Sequence, residues 1–149
     1  TRERQQAYED AMQAAGLAIN PRWIDYGYFD EPGGYTSVQR MKTLGPDSPT
    51  AYYAANDLMA VGILRAVAEL GLSVPGDISV MGTNNSYISQ HVTPALTTVD
   101  VPYAEIGKKA VELLITQINN LDESPSSYLM DCQLVLRSST GPVKLRRSG

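Results

Sequence analysis

The stretch from Ala54 to Gly82 constrains this chain most, because it reads as strand end, capped helix, glycine stop, turn and second strand without a break. Tyr52, Tyr53, Ala54 and Ala55 form a short apolar run bounded by polar residues, the pattern of a strand buried on both faces of a parallel sheet. Asn56 or Asp57 then offers a side-chain oxygen to the free amides of a helix running from about Asp57 to Leu70. Gly71 stops that helix, since glycine adopts the left-handed conformation cheaply. Pro75-Gly76-Asp77 turns the chain, and Ile78, Val80 and Met81 begin the next strand. Strand, helix and strand in this order predict a right-handed βαβ unit.

The helix is more apolar than one sheet requires. Leu58, Met59, Val61, Ile63, Leu64, Val67 and Leu70, with three alanines, surround most of its circumference, and Arg65 and Glu69 are the only charges after Asp57. Covering a sheet takes a single apolar stripe. Periodicity alone leaves two readings equal: a second face buried by the chain's own domain, or one buried by a partner.

Composition narrows the function classes. At 149 residues, 43% hydrophobic and 19% charged, the chain is one domain's worth of globular sequence. A net charge of −4 gives no basic footprint for nucleic acid. The single cysteine, Cys132, excludes an intrachain disulfide, and the single histidine, His91, excludes a His-rich metal site. No apolar run reaches membrane-spanning length and the start is no signal peptide, so a cytoplasmic protein is expected. No paired carboxylates, Gly-x-Ser-x-Gly elbow or phosphate-cradling glycine loop stands out, which argues against an enzyme, and no cofactor is expected.

Elsewhere, Ala7, Tyr8, Ala11, Met12 and Ala15 are spaced for one face of a helix that stops at Gly16. Trp23 to Gly27 alternates as a strand, and a loop from Tyr28 to Gly34 leads into a helix from about Tyr35 to Leu44. Thr83 to Ala95 reads as a polar loop at a strand's C-terminal end, where open α/β sheets bind ligands. Leu96 to Val99 is predicted as a strand and Tyr103 to Asn119 as a helix with its apolar residues mostly on one side. Leu121 to Ser127 reads as a linker, Gln133 to Leu136 as a strand, and Val143 to Gly149 as a frayed basic tail.

Asn56-Asp57, Met59-Ala60-x-Gly62, Arg65-Ala66, Glu69-x-Gly71, Val74-Pro75-x-Asp77-Ile78-Ser79-Val80 and Gly82, in that order, resemble the effector-binding domain of lactose-repressor-type (LacI/GalR) transcription regulators. The resemblance runs from Arg2 to Gly141 and ends on Arg137-Ser-Ser-Thr-Gly141. It implies a truncated periplasmic-binding-protein-like α/β fold, a three-layer sandwich with a parallel, flavodoxin-like sheet. Residues 1–98 would be the C-terminal subdomain without its first strand, 99–141 the crossover and closing segments, and 142–149 a tail. The chain would then be a fragment lacking the DNA-binding head and most of the N-terminal subdomain. Leu96-Thr97-Thr98-Val99 resembles the crossover that hinges the two lobes, after which Tyr103 can face the cleft.

The resemblance also places four residues at the effector cleft. Arg4 matches the family's cleft arginine, able to give two parallel hydrogen bonds to ligand hydroxyls or a carboxylate. Phe29 matches the cleft aromatic of the motif written here as Gly27-Tyr28-Phe29, suited to the apolar side of a sugar or purine. Asn56 matches the asparagine at the strand-to-helix corner. Asn84 stands where the family usually has aspartate; it keeps one acceptor, adds a donor and removes the charge, so a neutral polyol stays acceptable. The family places the Asp57 helix and the loop corresponding to Ser86–Val92 at a homodimer interface, here through Val61, Arg65 and Val92.

These residues imply the effector-sensing, dimerising part of a repressor-type regulator that responds to a sugar or small metabolite. DNA would be bound only by a head outside this sequence. A periplasmic sugar-binding protein of the ribose-binding type is the alternative. The family's strand order also predicts a gap between the Trp23–Gly27 and Ala51–Ala54 strands. A second chain or an upstream piece is expected to fill it, with Gln133 to Leu136 as the other candidate.

Overall fold

The computed structural model describes residues 2–119 and 127–143; all but Ser127 of the predicted Leu121–Ser127 linker, and residues 144–149 of the predicted tail, lie outside the described residues. Helix α1 spans Arg2–Ala14, α2 Glu31–Lys42, strand β1 Ala51–Tyr53, α3 Asp57–Glu69 and β2 Ser79–Thr83. Helix α4 follows at Tyr87–His91, then β3 at Thr97–Asp100, α5 at Tyr103–Asn119 and β4 at Gln133–Val135. The sheet is open and mostly parallel, in the order β1-β2-β3-β4, with only β4 antiparallel to its neighbour.

The central βαβ unit forms as its sequence dictates. Asn56 is the cap of α3: its side chain accepts from the Met59 amide at 2.8 Å. Gly71 takes φ +71° just beyond the helix. The core gathers Met59, Ala60, Ile63, Leu64, Ala66 and Val67 of α3 with Ala54, Val80, Leu96 and Val38 of α2. Helix α2 therefore covers much of the second apolar face of α3, the own-domain reading of that face. The two helices meet through glycines: a Cβ on Gly62 would collide with the Glu31 carbonyl oxygen, and one on Gly34 with that of Met59.

That contact corrects one boundary. Helix α2 begins at Glu31 rather than Tyr35, because Asp30 caps it by accepting from Gly33 N–H at 2.7 Å and Pro32 is tolerated in a first turn. Gly33 and Gly34 mark close approach inside a helix, not a loop. The polar stretch after β2 likewise contains the short helix α4.

Trp23 to Gly27 is not a strand. Pro21–Trp23 forms a single 3₁₀ turn, and Ile24–Gly27 makes no sheet ladder, since no described residue offers a neighbouring strand there. The segment is tied down instead by Trp23 Nε1 donating to the Asp47 carbonyl at 2.8 Å and by an Arg40–Asp25 ion pair. Burial alone would raise the Asp25 pKa, but hydrogen bonds from Arg40, Ser37 and the Tyr26 amide outweigh it and hold the carboxyl below its ordinary value.

No described residue fills the expected gap. Gln133–Val135 lies at the opposite end of the sheet, pairing with Asp100 to Thr98, and the outer edge of β1 pairs with no described strand. The apolar side of α5 is also uncovered: the helix buries none of its residues, and Ile106, Val111, Leu114 and Ile118 are exposed.

Candidate ligand-binding cleft

Three parallel strands end at one side of the sheet, and the segments leaving β1 and β2 carry Asn56 and Asn84. After β1, Arg4 of α1 donates Nη1 to the Ala55 carbonyl at 2.5 Å. Next to it, Asn56 donates Nδ2 to the Phe29 carbonyl at 2.8 Å while its oxygen caps α3. Arg4, Asn56 and Phe29 are thus linked around one corner. Phe29 is about half-exposed, which rules out a core role for the ring.

One strand further along, Thr83 at the end of β2 donates to the Ala54 carbonyl at 3.2 Å and so ties the two loops together. Asn84 follows, its amide bonded to the Val99 carbonyl and its side-chain oxygen accepting from Tyr103 Oη at 2.8 Å. Tyr103 opens α5, so the first residue of that helix meets this loop. Among the described residues, four that are not glycine have positive φ: Tyr28 (53°), Phe29 (64°), Asn84 (109°) and Asn85 (50°). For tyrosine and phenylalanine this is costly, and all four cluster at the candidate cleft.

Sequence reasoning missed the residues that hold these loops. Asp57 is 1% exposed and accepts from Ser86 N–H (2.7 Å), Ser86 Oγ (2.8 Å) and Thr98 Oγ1 (2.6 Å). It joins the start of α3, the loop after β2 and strand β3. A Cβ on Gly82 would collide with its carboxylate, so the glycine of the motif makes room for Asp57. Arg137 adds a second fastening, donating to the Leu96 carbonyl at 2.7 Å and to Asn85 Oδ1 at 2.6 Å. Asn85 in turn donates to Asp100 at 3.1 Å. The only sequence signal for Asp57 was its place beside the cap.

The three residues expected at an interface are dispersed among intrachain contacts. Val61 is partly buried on α3, and Val92 packs against the core. Arg65 pairs with Glu31 at 2.7 Å and lies 4.2 Å from the Tyr35 ring centroid. The Glu31 hydrogen bond is the main reason the Arg65 pKa is raised, and the Glu69 hydrogen bond does the same for Tyr35. Tyr52, on the covered side of β1, is pushed up to about 12 by burial. Among the described residues no cluster of His, Cys, Asp and Glu could hold a metal ion, and no helix is long and apolar enough to cross a membrane.

Comparison with known proteins is consistent with this geometry. The sequence profile of the periplasmic binding protein-like domain matches residues 1–140. The ribose operon repressor of Haemophilus influenzae is 36% identical over 141 residues, which are 95% of this chain and 42% of that repressor. The crystal structure of a transcriptional regulator named LacI from Bacillus cereus subsp. cytotoxis NVH 391-98 superposes with a TM-score of 0.92 at 27% identity, over 96% of this chain and 50% of that one. A LacI-family regulator from Enterococcus faecium, solved with bound ribose, gives a TM-score of 0.81 at 28% identity, over 95% and 52%. The chain thus spans well under two thirds of the proteins it matches.

Proposed function

Because this chain belongs to the LacI/GalR family, as part of its periplasmic-binding-protein-like effector domain, we propose that it is the effector-sensing and dimerising portion of a cytoplasmic transcription repressor. The observation that carries the reading is that Arg4 of α1 and Phe29 of the loop before α2 are hydrogen-bonded to Ala55 and Asn56 just after β1, while Asn84 leaves the end of neighbouring β2, the side on which open α/β sheets take ligands. A small effector, sugar-like in class, binds there and favours one arrangement of two lobes hinged at the crossover. Differential affinity for the two arrangements then alters DNA binding by a head domain outside this sequence. The bound ribose of the Enterococcus faecium relative supports a sugar-like effector. The site assembles hydrogen-bond donors and an aromatic face rather than a nucleophile and base, which supports binding over catalysis. Repressor relatives favour this reading over a transport protein of the ribose-binding type.

The test is fluorescence anisotropy of the intact protein on promoter DNA, with and without candidate small molecules. A change in DNA affinity of roughly fivefold or more with one of them is the expected result. DNA binding indifferent to every small molecule would contradict the proposal.

The same reading assigns Val61, Arg65 and Val92 to a homodimer interface. It rests on exposed apolar groups along that side of the chain, Leu58 on α3 and Tyr87 on α4. A biological contact there would bury on the order of 1,000 Å² or more. Val61→Asp places a charge in it and is expected to yield a monomer in size-exclusion chromatography with light scattering; a variant eluting as a dimer refutes the assignment.

A further inference from the structure

The cleft residues differ in what they still offer a ligand. Asn56 uses its oxygen on the Met59 amide and its nitrogen on the Phe29 carbonyl, so it fastens the corner. Arg4 engages only Nη1, which leaves Nε and Nη2 without a partner among the described residues. Asn84 has its oxygen occupied by the Tyr103 hydroxyl, and its side-chain nitrogen makes no hydrogen bond among the described residues. Both oxygens of Asp57 are taken, by Ser86 and Thr98, and Asp100 gives one of its oxygens to Asn85. What these residues leave unused is a guanidinium edge on Arg4 and an amide N–H₂ on Asn84. Among Arg4, Asn56, Asn84 and Tyr103, only the Tyr103 hydroxyl oxygen is an acceptor that takes no hydrogen bond among the described residues.

We infer that Tyr103 fixes Asn84 as a hydrogen-bond donor, and that Asn84 with Arg4 selects a sugar acid over the corresponding neutral sugar. The inference rests on the effector-cleft reading above. A carboxylate has no proton to place and takes a charge-assisted pair of bonds from a guanidinium. A sugar hydroxyl can accept from the same donors, but its own proton then needs an acceptor, and a desolvated donor without one is costly. Aspartate at position 84 would supply that acceptor and repel an acid; asparagine held by Tyr103 does neither.

The experiment is calorimetric titration of the intact protein with two matched pairs, D-glucose against D-glucuronate and D-galactose against D-galacturonate. At least one uronate should bind about tenfold or more tightly than its hexose, the difference a charge-assisted pair supplies. Asn84→Asp should reverse that preference. Tyr103→Phe, at an exposed position that tolerates the change, frees the Asn84 oxygen and should narrow it by roughly threefold. Hexoses binding as tightly as uronates, or a preference unmoved in both variants, overturns the inference. Failure of all four probes to bind also overturns it, whereas the effector reading itself fails only if the DNA complex ignores every small molecule.

Discussion

Replacing Asp57 by alanine is expected to cost the fold about 3 kcal/mol or more, the combined effect of losing hydrogen bonds to a charged acceptor of roughly 1.5 to 3 kcal/mol each. The carboxylate is buried and accepts three bonds, two from Ser86 and one from Thr98, so truncation strands a backbone amide and a buried hydroxyl at once. The three bonds share one acceptor, and their losses will not simply add. An asparagine at this position keeps the shape and one acceptor oxygen, so Asp57→Asn should lose about half as much. Urea denaturation of the intact protein reads both variants. A loss under about 1 kcal/mol for Asp57→Ala, the size of an ordinary surface change, would mean that Asp57 does not lock these loops.

The same residue shows where sequence reading stops. Helix α3 was legible because its stripe, its Asn56 cap and its Gly71 stop are all local, and α5 was legible to its ends for the same reason. What Asp57 does depends on Ser86 and Thr98, 29 and 41 residues away, and no spacing rule reaches that far. Arg137 reaches Asn85 across 52 residues. The alternation at Trp23 to Gly27 is a real pattern, but a strand exists only beside another strand, and the described residues provide none there. Gly33 and Gly34 were read as the end of a loop because, in isolation, glycine weakens a helix; here the missing side chain of Gly34 lets α2 lie against the backbone of α3, and that of Gly33 makes room for the Gly27 carbonyl. Of the site, Arg4, Asn56 and Phe29 were named from the family resemblance, and their hydrogen-bonded linkage emerges only in three dimensions. The Tyr103 contact that fixes Asn84 lies beyond what the motif conveys.

Whether the corner held by Arg4 grips an effector is tested most directly by calorimetric titration of the intact protein with the small molecule that alters its DNA binding. Arg4→Ala removes a charged donor and should weaken that binding by about 1.5 to 3 kcal/mol, roughly a 10- to 100-fold rise in Kd. The Arg4 bond to Ala55 is exposed, so the fold should lose less than about 1 kcal/mol, which separates a binding role from a structural one. A weakened titration with a nearly unchanged denaturation midpoint is the result the account predicts. Unchanged affinity in Arg4→Ala would contradict it.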